Sequence, residues 1–226
     1  MKATTAPELQ FHEALMKVFV CSEDVARAIA RKASDRRYPA RAAIIRQGDD
    51  PSAAFLLLAG RARALVYGIE GQLVLLHEFL PGDFFGALAT GDHSPEDADV
   101  IAMETARAAL FLAVDFVSLA EAHACIAIVL SQSLLRQLRA TSMRMRERTT
   151  LSAVGRVHAE LLRLARLGDG RTIRPSPVLS ALAVRVQSTR ETVSRTINAL
   201  ERRGIIRREA DALILVAPHR LEELVV

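Results

Sequence analysis

Four polar residues, Arg190, Glu191, Ser194 and Arg195, lie close together in a stretch that also carries Val193, Ile197 and Leu200. The three apolar residues repeat at three- and four-residue intervals, so on a helix they form one inward stripe. The four polar residues fall outside that stripe and are free to enter a groove. Arg donates two parallel bonds to N7 and O6 of guanine, and Glu accepts one from the amino group of cytosine. Ser188, Thr189 and Thr192 stand at the start of the same helix, where hydroxyls and free amides suit phosphate contacts. The plainer alternative is a solvated charged face with local ion pairs. The elements around the helix decide between the two.

Ser176-Pro177 opens an apolar helix over residues 178–186, and Gln187-Ser188-Thr189 forms a turn. A second helix starts at Arg190 and stops before Gly204. Ile205-Ile206-Arg207-Arg208 and the apolar run at 213–216, split by a polar turn at 209–211, predict a β-hairpin wing. The charge distribution agrees. The chain has 226 residues and a net charge of +4, but residues 1–129 carry −5 and residues 130–226 carry +9, all of the latter's cations being Arg. A basic C-terminal part on an acidic N-terminal part points to a polyanionic partner.

The run Leu182-Ala183-x-x-Val186-Gln187-x-Thr189-Arg190-Glu191-Thr192-Val193-Ser194-Arg195, ending in Leu200-Glu201-Arg202-Arg203-Gly204-Ile205-Ile206, resembles the DNA-binding motif of the Crp/Fnr regulators, relatives of the cyclic AMP receptor protein. Gln187 departs from that pattern, which usually has Gly there. The resemblance implies a homodimeric transcription factor with RNA polymerase as a further partner; the lack of catalytic signatures and of a signal peptide or spanning segment makes a non-enzymatic, cytoplasmic protein the expectation. By it, Glu191 and Arg195 read a G·C-containing core and Arg190 a neighbouring guanine. The implied site is a palindrome with TGTGA-like half-sites, TTGAC- or TTGAT-like variants included, one helical turn apart.

The rest of the chain must position this reader. Residues 8–34 predict two short helices, the second capped by Ser22. From 38 to 113, short apolar runs alternate with Gly, Asp and Pro turns, among them Gly68-Ile69-Glu70-Gly71, which predicts a β-roll of the jelly-roll kind. Helical spacing then persists for some fifty residues. A helix over 120–148 is expected to dimerise through Ile126, Val129, Ser133, Gln137 and Met145, with Leu130, Leu134, Leu138 and Thr141 as an adjoining stripe. Another helix covers 151–167. The fold expected is therefore α+β: a cyclic-nucleotide-binding-like sensor roll at 1–118, a dimerisation helix at 119–148 and a winged helix-turn-helix at 149–226.

The sensor departs from its relatives. Nucleotide-binding members carry Gly-Glu-Leu and, about ten residues on, Arg-Ser/Thr-Ala, in which Arg pairs with the cyclic phosphate and Glu holds the ribose. Aligned on Gly86, the Glu position is Ala87, the Arg position Asp97 and the Ser position Ala98. For unit charges about 4 Å apart, exchanging Arg for Asp turns roughly 4 kcal/mol of attraction into repulsion at an effective dielectric near 20, before solvent screening. Arg107 is the only basic residue between Pro81 and Glu121, so a slip in alignment does not restore the site. No cyclic AMP or cyclic GMP binding is expected.

Other sensing chemistry has little to work with. Two cysteines, Cys21 and Cys125, cannot supply an iron–sulfur cluster and lack metal-ligand spacing, so no metal is expected. No cofactor is expected either; His77, on the strand before the cassette, is the histidine to test for haem ligation, with His93 behind it. A rival reading keeps the DNA binding but gates it with haem or a gas, a metabolite or a dinucleotide bound in the roll. Enzymatic chemistry by His93, Ser94 and Asp97 lacks a nucleophile elbow, a metal motif or paired carboxylates. The N-terminus has no signal-peptide run, and no apolar stretch is long enough to span a bilayer.

Overall fold

The computed structural model describes residues 6–68, 73–89 and 94–225; His93 and most of the turn expected at 68–71 lie outside the described residues. The chain forms two compact units, one of Met1–Tyr67 with Leu76–Thr141, the other of Gly68–Leu75 with Ser142–Val226. No single helix among the described residues is long and apolar enough to cross a membrane.

The first unit opens with helices α1 (Ala6–Phe19) and α2 (Glu23–Lys32). Ser22 sits at the N-cap of α2, but its side chain makes no capping hydrogen bond. Eight strands follow: β1 (Ala33–Tyr38), β2 (Ala43–Ile45), β3 (Ala53–Ala59), β4 (Ala62–Tyr67), β5 (Leu73–Phe79), β6 (Phe84–Gly86), β7 (Asp99–Ala102) and β8 (Ala106–Leu112). They pair as two four-stranded antiparallel sheets, β1-β8-β3-β6 and β2-β7-β4-β5, which is the expected roll. β1 starts the roll at Ala33, five residues before the first strand expected at residue 38. It is the edge strand of its sheet, and Ser34-Asp35-Arg36-Arg37 is exposed, so it lacks the apolar alternation that marks a strand.

β3 explains why alternation is poor elsewhere. Ala54 and Leu56 pack with Phe11, Phe84 and Phe111 in a helix-covered core, whereas Phe55 and Leu57 pack with Phe79, Phe85 and Val100. Both faces are covered, so the strand reads as a continuous apolar run. Within the second core Phe85 stacks on Phe55 with ring centroids 5.2 Å apart and on Phe79 at 4.7 Å.

The helical region after the roll is not one helix. α3 (Ala113–Ala122) and α4 (Ala124–Thr150) meet at His123 with a bend of 114°. Apolar spacing continues across the break, which hides it in the sequence. α3 packs Phe116 and Leu119 into the helix-covered core.

The face of α4 is a second correction. Ile126 and Ser133 are buried, and Val129 and Leu130 are half-buried against the roll. Ser133 Oγ accepts from Phe84 N–H at 3.0 Å and donates to Asp83 Oδ1 at 3.2 Å. Gln137 Nε2 donates to Phe84 O at 2.8 Å and to Ser133 Oγ at 3.1 Å. Arg136 Nη2 donates to Gly82 O and Asp83 Oδ1. Thus Ile126 and Ser133 face the helix's own roll, and half-buried Val129, Leu130 and Gln137 also hold the helix to it. Both faces of α4 carry apolar residues, so spacing alone does not say which turns inward. The outward apolar side is Leu134, Leu138 and Met145, at 44%, 64% and 69% exposure.

Ser133→Ala should therefore destabilise the first unit by about 1–3 kcal/mol, because it strips the acceptor from the buried Phe84 amide and removes one of the donors to the Asp83 carboxylate. Denaturant unfolding of the variant against wild type measures this.

Candidate nucleic-acid interface and sensor cavity

The second unit is built on α5 (Ala153–Arg166), β9 (Thr172–Ile173), α6 (Leu179–Val186), α7 (Arg190–Arg202), β10 (Ile206–Arg208), β11 (Leu213–Leu215) and α8 (Pro218–Glu222). α5 starts at Ser152, whose Oγ accepts from Gly155 N–H at 3.0 Å. The expected wing is present as β10 and β11, and β9 adds a third strand in the order β10-β11-β9. One apolar core joins Val157 and Leu161 of α5, Leu182 and Val186 of α6, Val193, Ile197 and Leu200 of α7, and Leu213 and Leu215 of the wing.

Val193, Ile197 and Leu200 are at most 2% exposed, which fixes the rotation of α7 about its axis. Arg190, Glu191 and Arg195 are exposed, and Ser194 is half-buried beside them. Among the described residues, these two guanidinium groups and the Glu191 carboxylate form no ion pair; Arg195 Nε makes only a 3.4 Å hydrogen bond to the Glu191 carbonyl. A self-satisfied charged face would show such pairs, so the plainer alternative loses its main support. Ser188, Thr189 and Thr192 gather at the N-terminus of α7. Thr189 is its N-cap: Oγ1 accepts from Thr192 N–H at 3.1 Å and lies 3.0 Å from Thr192 Oγ1. The wing is tied to the same helix, since Arg208 pairs with Glu201 and donates to Asn198 Oδ1.

Both helices of the motif end alike. After α7, Gly204 at φ +66° lets Gly204 N–H reach Glu201 O and Ile205 N–H reach Leu200 O. After α6, Gln187 takes the same left-handed conformation, φ 48° and ψ 59°, with Gln187 N–H on Val184 O and Ser188 N–H on Ala183 O. A residue that sequence reasoning missed supports this turn. Arg156, on α5, donates to the carbonyls of Val186, Gln187 and Leu151. Its partners are backbone atoms, so no side-chain pattern signals them.

In the roll, Gly86 turns at φ +80°, and a Cβ there would meet Ala53 O at 2.5 Å. Beyond it lies a cavity of about 370 Å³ bordered by Gly86, Ala87, Leu88, Ser94, Glu96 and Asp97, with Pro51 at its rim. Gly86, Ala87 and Asp97 thus meet at one site, whereas Ala98 is buried in the inter-sheet core. Among the described residues, the charged side chains bordering the cavity are the carboxylates of Glu96 and Asp97. Arg107 is spent elsewhere, in a two-bond pair with Asp35, and Arg63 pairs with Glu78. His77 lies against the Phe79 ring, with centroids 4.8 Å apart, and does not border the cavity. Cys21 and Cys125 are half-buried free thiols, and no group of three or more metal-ligating side chains occurs among the described residues.

A profile for the cyclic nucleotide-binding domain matches residues 35–123, and one for the Crp-like helix-turn-helix domain matches residues 155–224. The Cyclic AMP receptor protein of Thermus thermophilus is 31% identical over 173 residues, which span 76% of this chain and 79% of that protein. The chain belongs to the Crp/Fnr family of transcriptional regulators. As a Crp/Fnr regulator its partner is DNA. The cAMP-activated global transcriptional regulator CRP of Salmonella typhimurium is similar over 184 residues at 25% identity, covering 79% of this chain and 88% of that one. The fold is shared with a CooA variant from Carboxydothermus hydrogenoformans at a TM-score of 0.77 and 18% identity, covering 94% of this chain and 95% of that one.

Two measurements follow for this Crp/Fnr regulator. Thr189→Ala should cost about 1 kcal/mol of stability, as loss of an N-cap does, and thermal unfolding checks it. His158 is buried and donates from Nδ1 to Leu224 O at 2.9 Å. Burial pushes its imidazole below the ordinary 6.5, nearby Arg203 adds to the shift, and the hydrogen bond opposes it. Folding therefore favours neutral His158. The resulting stability is present above pH 6.5 and is lost as pH falls through that value toward the lowered one. Unfolding midpoints between pH 7.5 and 5 should fall (values on the order of those at which His titrates), and His158→Gln should flatten the slope.

Proposed function

We propose that the chain is a homodimeric, sequence-specific regulator that reads a palindromic TGTGA- or TTGAC-like site with Arg190, Glu191, Ser194 and Arg195, and that cyclic AMP does not gate it. The observation that carries the DNA reading is the exposed, unpaired set of Arg190, Glu191 and Arg195 on a helix whose opposite side is buried. Arg and Glu side by side match the guanine and cytosine edges of one groove. α7 has 13 residues and rises about 20 Å, a length and diameter that the major groove accommodates. Ser188, Thr189 and Thr192 place hydroxyls where a phosphate approaches the helix N-terminus.

The second copy would pack along α4. Ala127, Ser131, Leu134, Leu138, Thr141 and Met145 follow one another at alternating intervals of four and three, the repeat of a coiled-coil seam. Residues 119–148 would then be the dimer element between a sensor at 1–118 and a DNA-binding part at 149–226. Two readers related by a two-fold axis call for a palindrome, and RNA polymerase is the partner through which such a protein would act. Against cyclic nucleotide gating stands the cavity at Gly86. Asp97 is exposed, so solvent screening weakens its repulsion of a phosphate, yet among the described residues no cation borders the cavity to attract one.

Fluorescence anisotropy with a labelled palindromic duplex and a random-sequence control tests both parts. Specific binding should appear without nucleotide and stay unchanged on adding cyclic AMP. Glu191→Ala and Arg195→Ala should each weaken the palindrome by about 1–3 kcal/mol while leaving random-sequence binding nearly as before. Binding that requires cyclic AMP would overturn the sensor reading, and equal affinity for both duplexes would overturn the specificity.

A further inference from the structure

The left-handed turn between α6 and α7 determines where the reading helix begins, and it is built on the wrong residue for the task. Gln187 holds φ 48° and ψ 59°, a conformation in which an L side chain crowds its own carbonyl and glycine does not. It also closes α6, whose last carbonyls have no partners within the helix and carry partial negative charge. Something outside the turn must offset both costs.

Arg156 is placed to do so. Its half-buried guanidinium donates from Nε to Val186 O at 2.8 Å, from Nη2 to Gln187 O at 3.2 Å and from Nη1 to Leu151 O at 3.1 Å. Two of these carbonyls belong to the strained residue and the one before it. Among the described residues Arg156 makes no ion pair, so its charge is directed at backbone dipoles alone. The planar fork engages separate carbonyls in fixed directions, which the single ammonium of a lysine does not reproduce.

We propose that Arg156 is a positioning residue for DNA recognition: it clamps the Val186–Gln187 turn and so sets the point from which Thr189 and Arg190 launch α7 toward the duplex. It acts without touching DNA. The proposal rests on the assignment of α7 as the reading helix, and one of its readouts does not depend on DNA.

The full-length protein is compared with Arg156→Lys, Gln187→Gly and the double variant. Affinity for the palindromic and random duplexes is measured across salt concentrations, alongside amide hydrogen exchange at Ser188, whose N–H bonds to Ala183 O within the turn. Arg156→Lys should lower palindrome affinity about tenfold, the size expected when a half-buried backbone clamp is lost. Random-duplex affinity and the salt slope should not change, and Ser188 exchange should become faster. Gln187→Gly, which removes the strain, should restore most of the lost specificity in the double variant.

Unchanged exchange and unchanged affinity in Arg156→Lys would overturn the proposal. So would a parallel loss on both duplexes with a salt slope shallower by about one, which would make Arg156 a phosphate contact. Failure of Gln187→Gly to rescue would also count against it. If wild type shows no preference for the palindrome, the reading of α7 fails on its own. Ser188 exchange then still decides whether the clamp exists.

Discussion

Burial of Val193, Ile197 and Leu200 against α5, α6 and the wing fixes the rotation of α7, and the rest of the interface follows from that packing. Once those three side chains are inside, Arg190, Glu191 and Arg195 have only solvent to face. The N-cap at Thr189 then sets where the helix starts, and Gly204 sets where it stops. A hydrophobic core with no chemistry of its own thereby decides which polar atoms are offered to a duplex.

The parts legible in the sequence are those in which one physical signal dominates. α7 could be read because its apolar stripe, its cap and its terminal glycine agree with one another, a consistency expected of a well-specified segment. The roll could be read from its turns even though β3 hides its alternation. Three features were not legible, each for its own reason. β1 is an exposed edge made of Ser, Asp and Arg, so it lacks an apolar period. The bend at His123 interrupts the backbone without interrupting the spacing of apolar residues. The inward side of α4 is not legible because Leu134 and Leu138 look as buriable as Ile126 and Val129. The choice falls to Ser133 and Gln137, polar residues whose partners are an amide, a carbonyl and a carboxylate of the β6 region. In the site, Gly86, Ala87 and Asp97 do come together, but Ala98 joins the core.

The two units use charge in opposite ways. On α7 Arg190, Glu191 and Arg195 form no ion pair among the described residues and are thus available, while in the roll Arg63 and Arg107 are committed to Glu78 and Asp35. Net charge alone marks the basic half. Only the pairing pattern separates a surface prepared for an anion from one that has satisfied its cations internally.

The two-sided character of α4 also limits how the chain can change in length. Ser133 and Gln137 face the roll while Leu134 and Leu138 face outward, one residue apart in each case. A helix turns about 100° per residue, so deleting a single residue before Ser133 would carry Leu134 toward Asp83 and Phe84 and turn the serine toward solvent. Insertions or deletions of seven residues nearly preserve the facing, whereas shorter ones in most cases exchange the two sides. Descendants of this sequence should therefore vary α4 freely by substitution on its third, polar side, and should gain or lose length elsewhere, in the turns of the roll.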